Sequence, residues 1–278
     1  MALRSEPTAR QLRLAVELRR LREAAGITGR QAAALLGVTP PVISQIESGI
    51  AGLSEERLRR LASHYACADE EFIDALVGMA TDRTRGWWEE YRGSLPTSFL
   101  DLAELEHNAA YLREVAILHV PGLLQTEEYA RALFSSRVPE LTTEELELRV
   151  RHRMQRQQFS VPYELLIHEA ALRIRVGDRA ASRVQLVRLL ELSEADHITL
   201  SVIPFDLDGF TRASSTMTYV GGFLPKLDTV VRDAPHGAVL IDAEAQLNAY
   251  RTRFRKVEAV ALEPDRSRDF IHMLAQEL

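Results

Sequence analysis

Residues 26–49, GITGRQAAALLGVTPPVISQIESG, read as two short helices joined by a tight turn. Thr28 is placed to N-cap the first helix, and Gln31, three residues on, completes a capping box. Ala32, Ala33 and Leu36 then recur at helical spacing and give that helix its buried side. Gly37 stands where the helix needs a left-handed residue to end. Thr39 is placed to cap the second helix, with Pro40 at its first position, where a missing N–H costs nothing. Ile43 and Ile46 point inward, and Gly49 closes the pair.

Working outward, residues 9–25 form an amphipathic helix with Leu14, Leu18 and Leu21 on one face. After the pair, Ser54 caps a helix that carries Glu55 and Glu56 at its positive end and Leu58, Leu61, Ala62 and Tyr65 inside. A fifth helix follows Asp69, with Phe72, Ile73 and Leu76 inward. Two short helices around a glycine turn, the second led by small polar residues, form the helix-turn-helix arrangement that sets one helix in the DNA major groove.

The chain of 278 residues is long enough for two domains, and with 46% hydrophobic and 27% charged residues it is an ordinary soluble composition. It shows no signal peptide and no apolar run long enough for a membrane, so a cytoplasmic protein is expected. The single cysteine, Cys67, excludes an internal disulfide framework and has no CxxC partner for a metal. Residues 1–66 hold ten arginines and six glutamates, a net of +4, whereas the whole chain is −6. A positive head on an acidic body suits an N-terminus that meets phosphate, and argues against non-specific nucleic-acid binding by the rest.

A boundary is expected near residues 78–85, dividing a head, 1–80, from a second domain, 81–278. Helical patterning continues through 86–95 and 99–115, with Trp87, Trp88 and Tyr91 clustered as core or as a contact between domains. Thr126 starts a helix, and a capping box of Thr142 with Glu145 opens another that reaches about Phe159. Four strands then follow, at 163–169, 198–205, 215–220 and 228–233. A helix at 180–193, with Val184, Leu186, Leu189 and Leu190, separates the first two strands. Residues 243–278 return to helix. The expected fold is mainly α: a five-helix head followed by an α+β domain with a small sheet.

The head resembles the XRE-type helix-turn-helix domain of the lambdoid repressors. LRRLREAAGIT, LLGVT, ISQIESG and LRRLASHY carry the resemblance. Further on, VPGLLQTEEYARAL, the R..RQ pattern at 153–157, HEAALR...G, QL..LLELSEA.HITLSVIPF and TMTYV are similar to the C-terminal domain of a large actinobacterial regulator family, described as antitoxin-like or WhiJ-like. The resemblance implies a homodimer on a palindromic double-stranded DNA operator. It also implies a C-terminal sensor or partner-binding module, commonly serving a small protein encoded by a neighbouring gene.

In this fold the groove helix exposes Pro40, Pro41, Val42, Ser44, Gln45 and Ser48. Gln45 matches a position that reads base edges in phage repressors, and its amide can bond bidentately to adenine at about 1–3 kcal/mol of discrimination. Thr39, Ser44 and Ser48 can donate to phosphates or bases, while Pro41 and Val42 offer apolar contact. Thr28 and the free N–H groups that start the preceding helix should grip phosphate, with Arg30 and Gln31 nearby. The resemblance also implies a salt bridge between Arg22 and Glu47. One departure stands out: neither the groove helix nor the loop 50–53 carries a cation, which predicts a weak monomeric site and a shallow salt dependence.

No Walker loop, GxGxxG, GxSxG or HExxH is present, and the eight histidines show no zinc spacing, so no enzyme, metal or cofactor is expected. His168 and Glu169, adjacent on an expected strand, would face opposite ways. His107 near Glu104, and His152 amid arginines, read as solvated helix faces. Arg149, Arg151, Arg153 and Arg156 form the best charged candidate for an anionic ligand or an acidic partner surface. Two readings follow: a sequence-specific regulator, or an antitoxin-like interaction module with weak DNA binding.

Overall fold

The structure, a computed structural model, describes residues 6–82, 84–207, 216–234 and 237–278. These fall into two compact units: one takes the described residues up to Glu90 with Phe99–Leu105, the other Tyr91–Ser98 with Glu106–Leu278. The expected boundary at 78–85 lies inside the first unit, and Arg83 within it is outside the described residues. Two contacts explain the extension. Arg10 pairs with Asp82, and the Ala9 N–H donates to Asp101 Oδ1 at 2.9 Å, drawing residues beyond the boundary onto the start of the first helix.

The first unit opens with α1 (Ala9–Ala24), α2 (Gly29–Leu36), α3 (Pro40–Ile46), α4 (Glu55–His64) and α5 (Glu70–Thr81). Thr28 and Gln31 form a reciprocal capping box, and Gly37 ends α2 at φ 68°, ψ 36°. Ser54 accepts from the Arg57 N–H and Asp69 from the Phe72 N–H, so polar side chains satisfy the first turns of α4 and α5. Ala32, Ala33, Leu36, Ile43, Ile46, Leu58, Leu61, Phe72 and Leu76 are buried together with Ala15 and Leu18.

Two local expectations shift. Leu14 and Leu21 are only half-buried, and the inner face of α1 is instead Ala15 and Leu18 flanked by buried Arg13 and Glu17. The two charges are tolerated because Glu17 pairs with Arg13 at 3.1 Å and with Arg20 at 2.5 Å. Thr39 occupies the N-cap position of α3 but makes no cap hydrogen bond with its side chain. Pro41 stands where an N–H would meet that hydroxyl, and the next N–H, of Val42, already donates to the Thr39 carbonyl at 3.0 Å.

Residues 86–95 hold only a short 3-10 helix, Trp87–Tyr91, and α6 spans Thr97–His107. In the second unit the helical expectation for 111–115 gives way to a strand, β1 (Tyr111–Ala116). The apolar spacing Leu112, Val115, Ala116 fits a helix equally well, and a glutamate in the middle masks the strand. The unit continues with α7 (Glu127–Ser135), α8 (Thr143–Arg156), β2 (Tyr163–His168), α9 (Glu169–Arg173), α10 (Arg179–Leu192) and β3 (Ile198–Ile203). It ends with β4 (Met217–Gly221), β5 (Thr229–Ala234), β6 (Gly237–Ile241), α11 (Glu244–Glu258) and α12 (Pro264–Glu277). Ser215, expected to begin the third strand, lies outside the described residues.

The sheet has six strands in the order β3-β2-β1-β4-β5-β6, two more than the sequence pattern indicates. β1, β2 and β3 run parallel, linked by helical crossovers; β4, β5 and β6 join antiparallel. One face packs Val115, Leu166, Ile203, Met217, Tyr219 and Val230 under Leu247, Phe254 and Val257 of α11. The observed class is therefore a helical helix-turn-helix head and an α+β second unit with a small sheet.

Candidate nucleic-acid interface

The local chemistry of α3 decides what it presents. Ile43 and Ile46 anchor its inner side, with 2% and 4% of their surface exposed. One helical turn fixes the rest: Pro40, Pro41, Ser44 and Ser48 are exposed and Val42 and Gln45 half-exposed. The Ser48 hydroxyl donates to the Gln45 backbone carbonyl at 3.2 Å. Thr39, exposed and without a cap bond, adds a hydroxyl at the leading edge. At the start of α2, Thr28, Arg30 and Gln31 are exposed. The Thr28 hydroxyl and the Gln31 amide oxygen are engaged with each other at 2.8 Å, so the N–H groups of that first turn and the Arg30 guanidinium form its polar front.

Behind this surface the Arg22 guanidinium forks onto Glu47. Nε meets Oε1 at 2.6 Å, Nη2 meets Oε2 at 2.8 Å, and Nη1 donates to the Ile27 carbonyl at 2.8 Å. The Glu47 hydrogen bonds raise the Arg22 pKa against the opposing effect of burial. The fork ties the end of α1 to the residue after α3, fixing the pitch of the groove helix against the head.

Most other arginines of the head are also paired: Arg10 with Asp82, Arg13 and Arg20 with Glu17, Arg19 with Glu23, and Arg59 with Glu55 and Asp74. Arg30 belongs to no ion pair among the described residues. Most of the head's guanidinium groups are thus held in internal ion pairs, although its net charge stays positive, and Arg30 at the start of α2 stands apart from them.

The four arginines of α8 do not form one patch. Arg151 is exposed, and Arg149 is half-buried, with burial lowering its pKa. Arg153 turns inward, donating to Gln125 Oε1 at 2.7 Å with its guanidinium 4.2 Å from the centre of the Phe134 ring. Burial, then the like charge of Arg156, pull Arg153 down to about 9, which still leaves it charged at neutral pH. Arg156 pairs with the buried Glu106 at 3.1 Å. His152 is buried rather than solvated: its ring meets Tyr91 edge-on at 4.9 Å, and burial with two flanking arginines pushes its pKa down to about 3.

These inward arginines serve the turn at 120–126. Gln125 Nε2 donates to the Val120 carbonyl, Gln157 donates to the carbonyls of Gly122 and Gln125, and Gln185 bridges the Leu124 carbonyl and the Thr126 N–H. A Cβ on Gly122 would lie 2.5 Å from Arg156 Nη2, so the close approach of that guanidinium needs glycine. Sequence reasoning flagged these motifs without reading them as one clasp; apart from the local Gln125–Val120 bond, their partners are 28 to 61 residues apart. Glu114, on the buried face of β1, was missed altogether. Its carboxylate accepts from the Tyr163 hydroxyl at 2.7 Å, and burial raises its pKa to about 7.

His168 ends β2 and caps α9, so the alternation expected of a strand stops there. Glu169 is buried, accepts from the Phe205 N–H at 2.8 Å and pairs with Arg173 at 2.5 Å. Both residues are absorbed by the fold. Among the described residues no cluster of three or more His, Cys, Asp or Glu is arranged for a metal, and no helix is long and apolar enough to cross a membrane.

Residues 13–76 match the model of a helix-turn-helix domain, which supports a DNA-binding regulator. Comparison with curated proteins and with solved structures finds no match. Residues 99–273, more than half of the chain, match a domain of unknown function, DUF5753, so the chain belongs to that domain family, with a helix-turn-helix head in front of the family domain.

Proposed function

We propose that this chain is a sequence-specific transcriptional regulator of the XRE type that binds a palindromic operator as a homodimer. The observation that carries the reading is the polar face on and around α3, where Thr39, Ser44 and Ser48 are exposed and Gln45 is half-exposed beside a helix anchored by Ile43 and Ile46. Gln45 is the base reader, and Arg30 with the first turn of α2 is the phosphate contact. The second unit serves as the sensor or as the seat of a small partner protein. The work of the protein is binding in the cytoplasm, without catalysis or cofactor. The likeness to the actinobacterial WhiJ-like regulators noted above agrees with this assignment.

A second reading has its own observation. With the head's arginines mostly held in ion pairs, DNA affinity rests on few phosphate contacts, which favours an antitoxin-like protein whose main task is to hold a partner. Titration against the DNA upstream of its own gene, by fluorescence anisotropy at two salt concentrations, separates the two. Competitor-resistant binding that Gln45→Ala loses supports the regulator. Binding no tighter than competitor at low salt defeats it.

A further inference from the structure

The two edges of the sheet are finished differently. On β3 the outward groups of Val202 are taken: its N–H donates to the Ser267 hydroxyl at 2.9 Å, and its carbonyl accepts from the Leu262 N–H at 2.8 Å. The start of α12 thus seals that edge. β6 lies at the other edge and, among the described residues, pairs only with β5. Ala234 pairs with Gly237, so two residues separate the paired ends. That spacing makes the end pair mutually hydrogen-bonded, and antiparallel pairs alternate from there. Gly237, Val239 and Ile241 therefore turn their backbone groups toward β5, while Ala238 and Leu240 turn theirs away. Among the described residues no hydrogen bond reaches the outward groups of Ala238 or Leu240. The strand, GAVLI, has no charge, no proline and no bulge, the usual guards of a free edge. Val239 and Leu240 are 48% and 38% exposed, one on each side of the sheet.

We propose that β6 is a dimerisation strand, pairing antiparallel with β6 of a second copy of this chain across a two-fold axis near Val239 and Leu240. An antiparallel edge is self-complementary under a two-fold, so one strand supplies both halves of the interface. Five uncharged residues oppose no like charges when paired with themselves, and each copy's Val239 and Leu240 cover the other's. The choice of a second copy as occupant rests on the reading above, in which an operator is held by two heads.

Sedimentation velocity of the full chain tests it, beside Leu240→Pro. That substitution removes an outward N–H while leaving the groups that face β5, and proline is tolerated on edge strands. The wild type is expected at twice the 31.3 kDa chain mass and the variant at 31.3 kDa, with an unchanged circular dichroism spectrum. Should the proline variant lose its folded spectrum, Leu240→Lys replaces it and sets like charges opposite each other across the axis. A monomeric wild type, or a folded variant that remains dimeric, overturns the proposal. Operator titration of the same samples keeps the two ideas apart. A monomeric wild type that binds the operator leaves the regulator standing without this interface. A dimer lost on substitution, with no operator binding, leaves the interface standing without the regulator.

Discussion

Two residues of the head, Arg22 and Arg30, show how one side-chain type does opposite work. Arg22 is mostly buried and bidentate on Glu47, so neutralising the acid leaves a desolvated cation with the Ile27 carbonyl and a longer contact to the exposed Glu23, 3.6 Å away. Glu47→Gln is expected to destabilise the head by roughly 3 kcal/mol, since breaking a buried pair costs more than the pair contributes. Urea unfolding followed by circular dichroism checks it; a change below about 0.5 kcal/mol, the range of ordinary surface substitutions, would show that the fork is decorative. Arg30 is exposed and outside any ion pair among the described residues. Arg30→Ala should leave the melting temperature alone. It should lower the slope of log K against log salt by about one unit per head, weakening all sequences alike. A change of sequence preference instead would make Arg30 a base reader.

Among elements, α2, its turn and α3 depend on a backbone shape that few residues accept. Gly37 sits in the left-handed region, and a Cβ there meets nothing within 4 Å. Gly37→Ala therefore carries no clash and costs only the left-handed strain, about 1–2 kcal/mol. Thermal melting should show that loss while operator affinity at low temperature is kept; lost affinity in a fully folded variant would mean that the turn sets the angle of α3. Gly49 has a different reason to be glycine: at φ 75° it is also crowded, with a Cβ falling 3.1 Å from Pro7 Cβ. At the other end of the chain, β1 and α8 meet through charges. Glu114 lies buried on the strand among Tyr163, Glu106 and the α8 arginines, and burial makes it hold its proton to about pH 7.

That proton makes the whole molecule sensitive to pH. The Glu114 carboxyl binds its proton more tightly when folded, with a pKa of about 7 against an ordinary 4.5. Its contribution is complete below pH 4.5 and is lost as pH rises through 7. The loss amounts to about 3 kcal/mol at 1.36 kcal/mol per unit. His152 acts in the other direction: its folded pKa of about 3 lies below the ordinary 6.5, so its contribution is complete above 6.5 and is lost as pH falls toward 3. The two opposing terms cancel between about pH 4.5 and 6.5, so stability of the second unit should be level there, fall below pH 4.5 and drop only slightly as pH passes 7. Glu114→Gln should turn that level stretch into a rise toward pH 6.5 in urea titrations at several pH values; an unchanged profile would mean that Glu114 does not hold its proton in the fold. Short-range information in the sequence was enough for the head: caps, the glycine turn and apolar spacing lie within a few residues of what they act on, so α1 to α5 were all legible. In the second unit the same local signals gave the helices except the short α9, and four of the strands. They could not give β1, whose pattern of Leu112, Val115 and Ala116 serves a helix as well as a strand, nor β6, which exists by pairing with β5. The direction of the α8 arginines and the pairing of Glu114 with Tyr163 were decided only by the tertiary structure. A charged side chain turns inward when distant segments supply its partners, and those distances are not written in the local pattern.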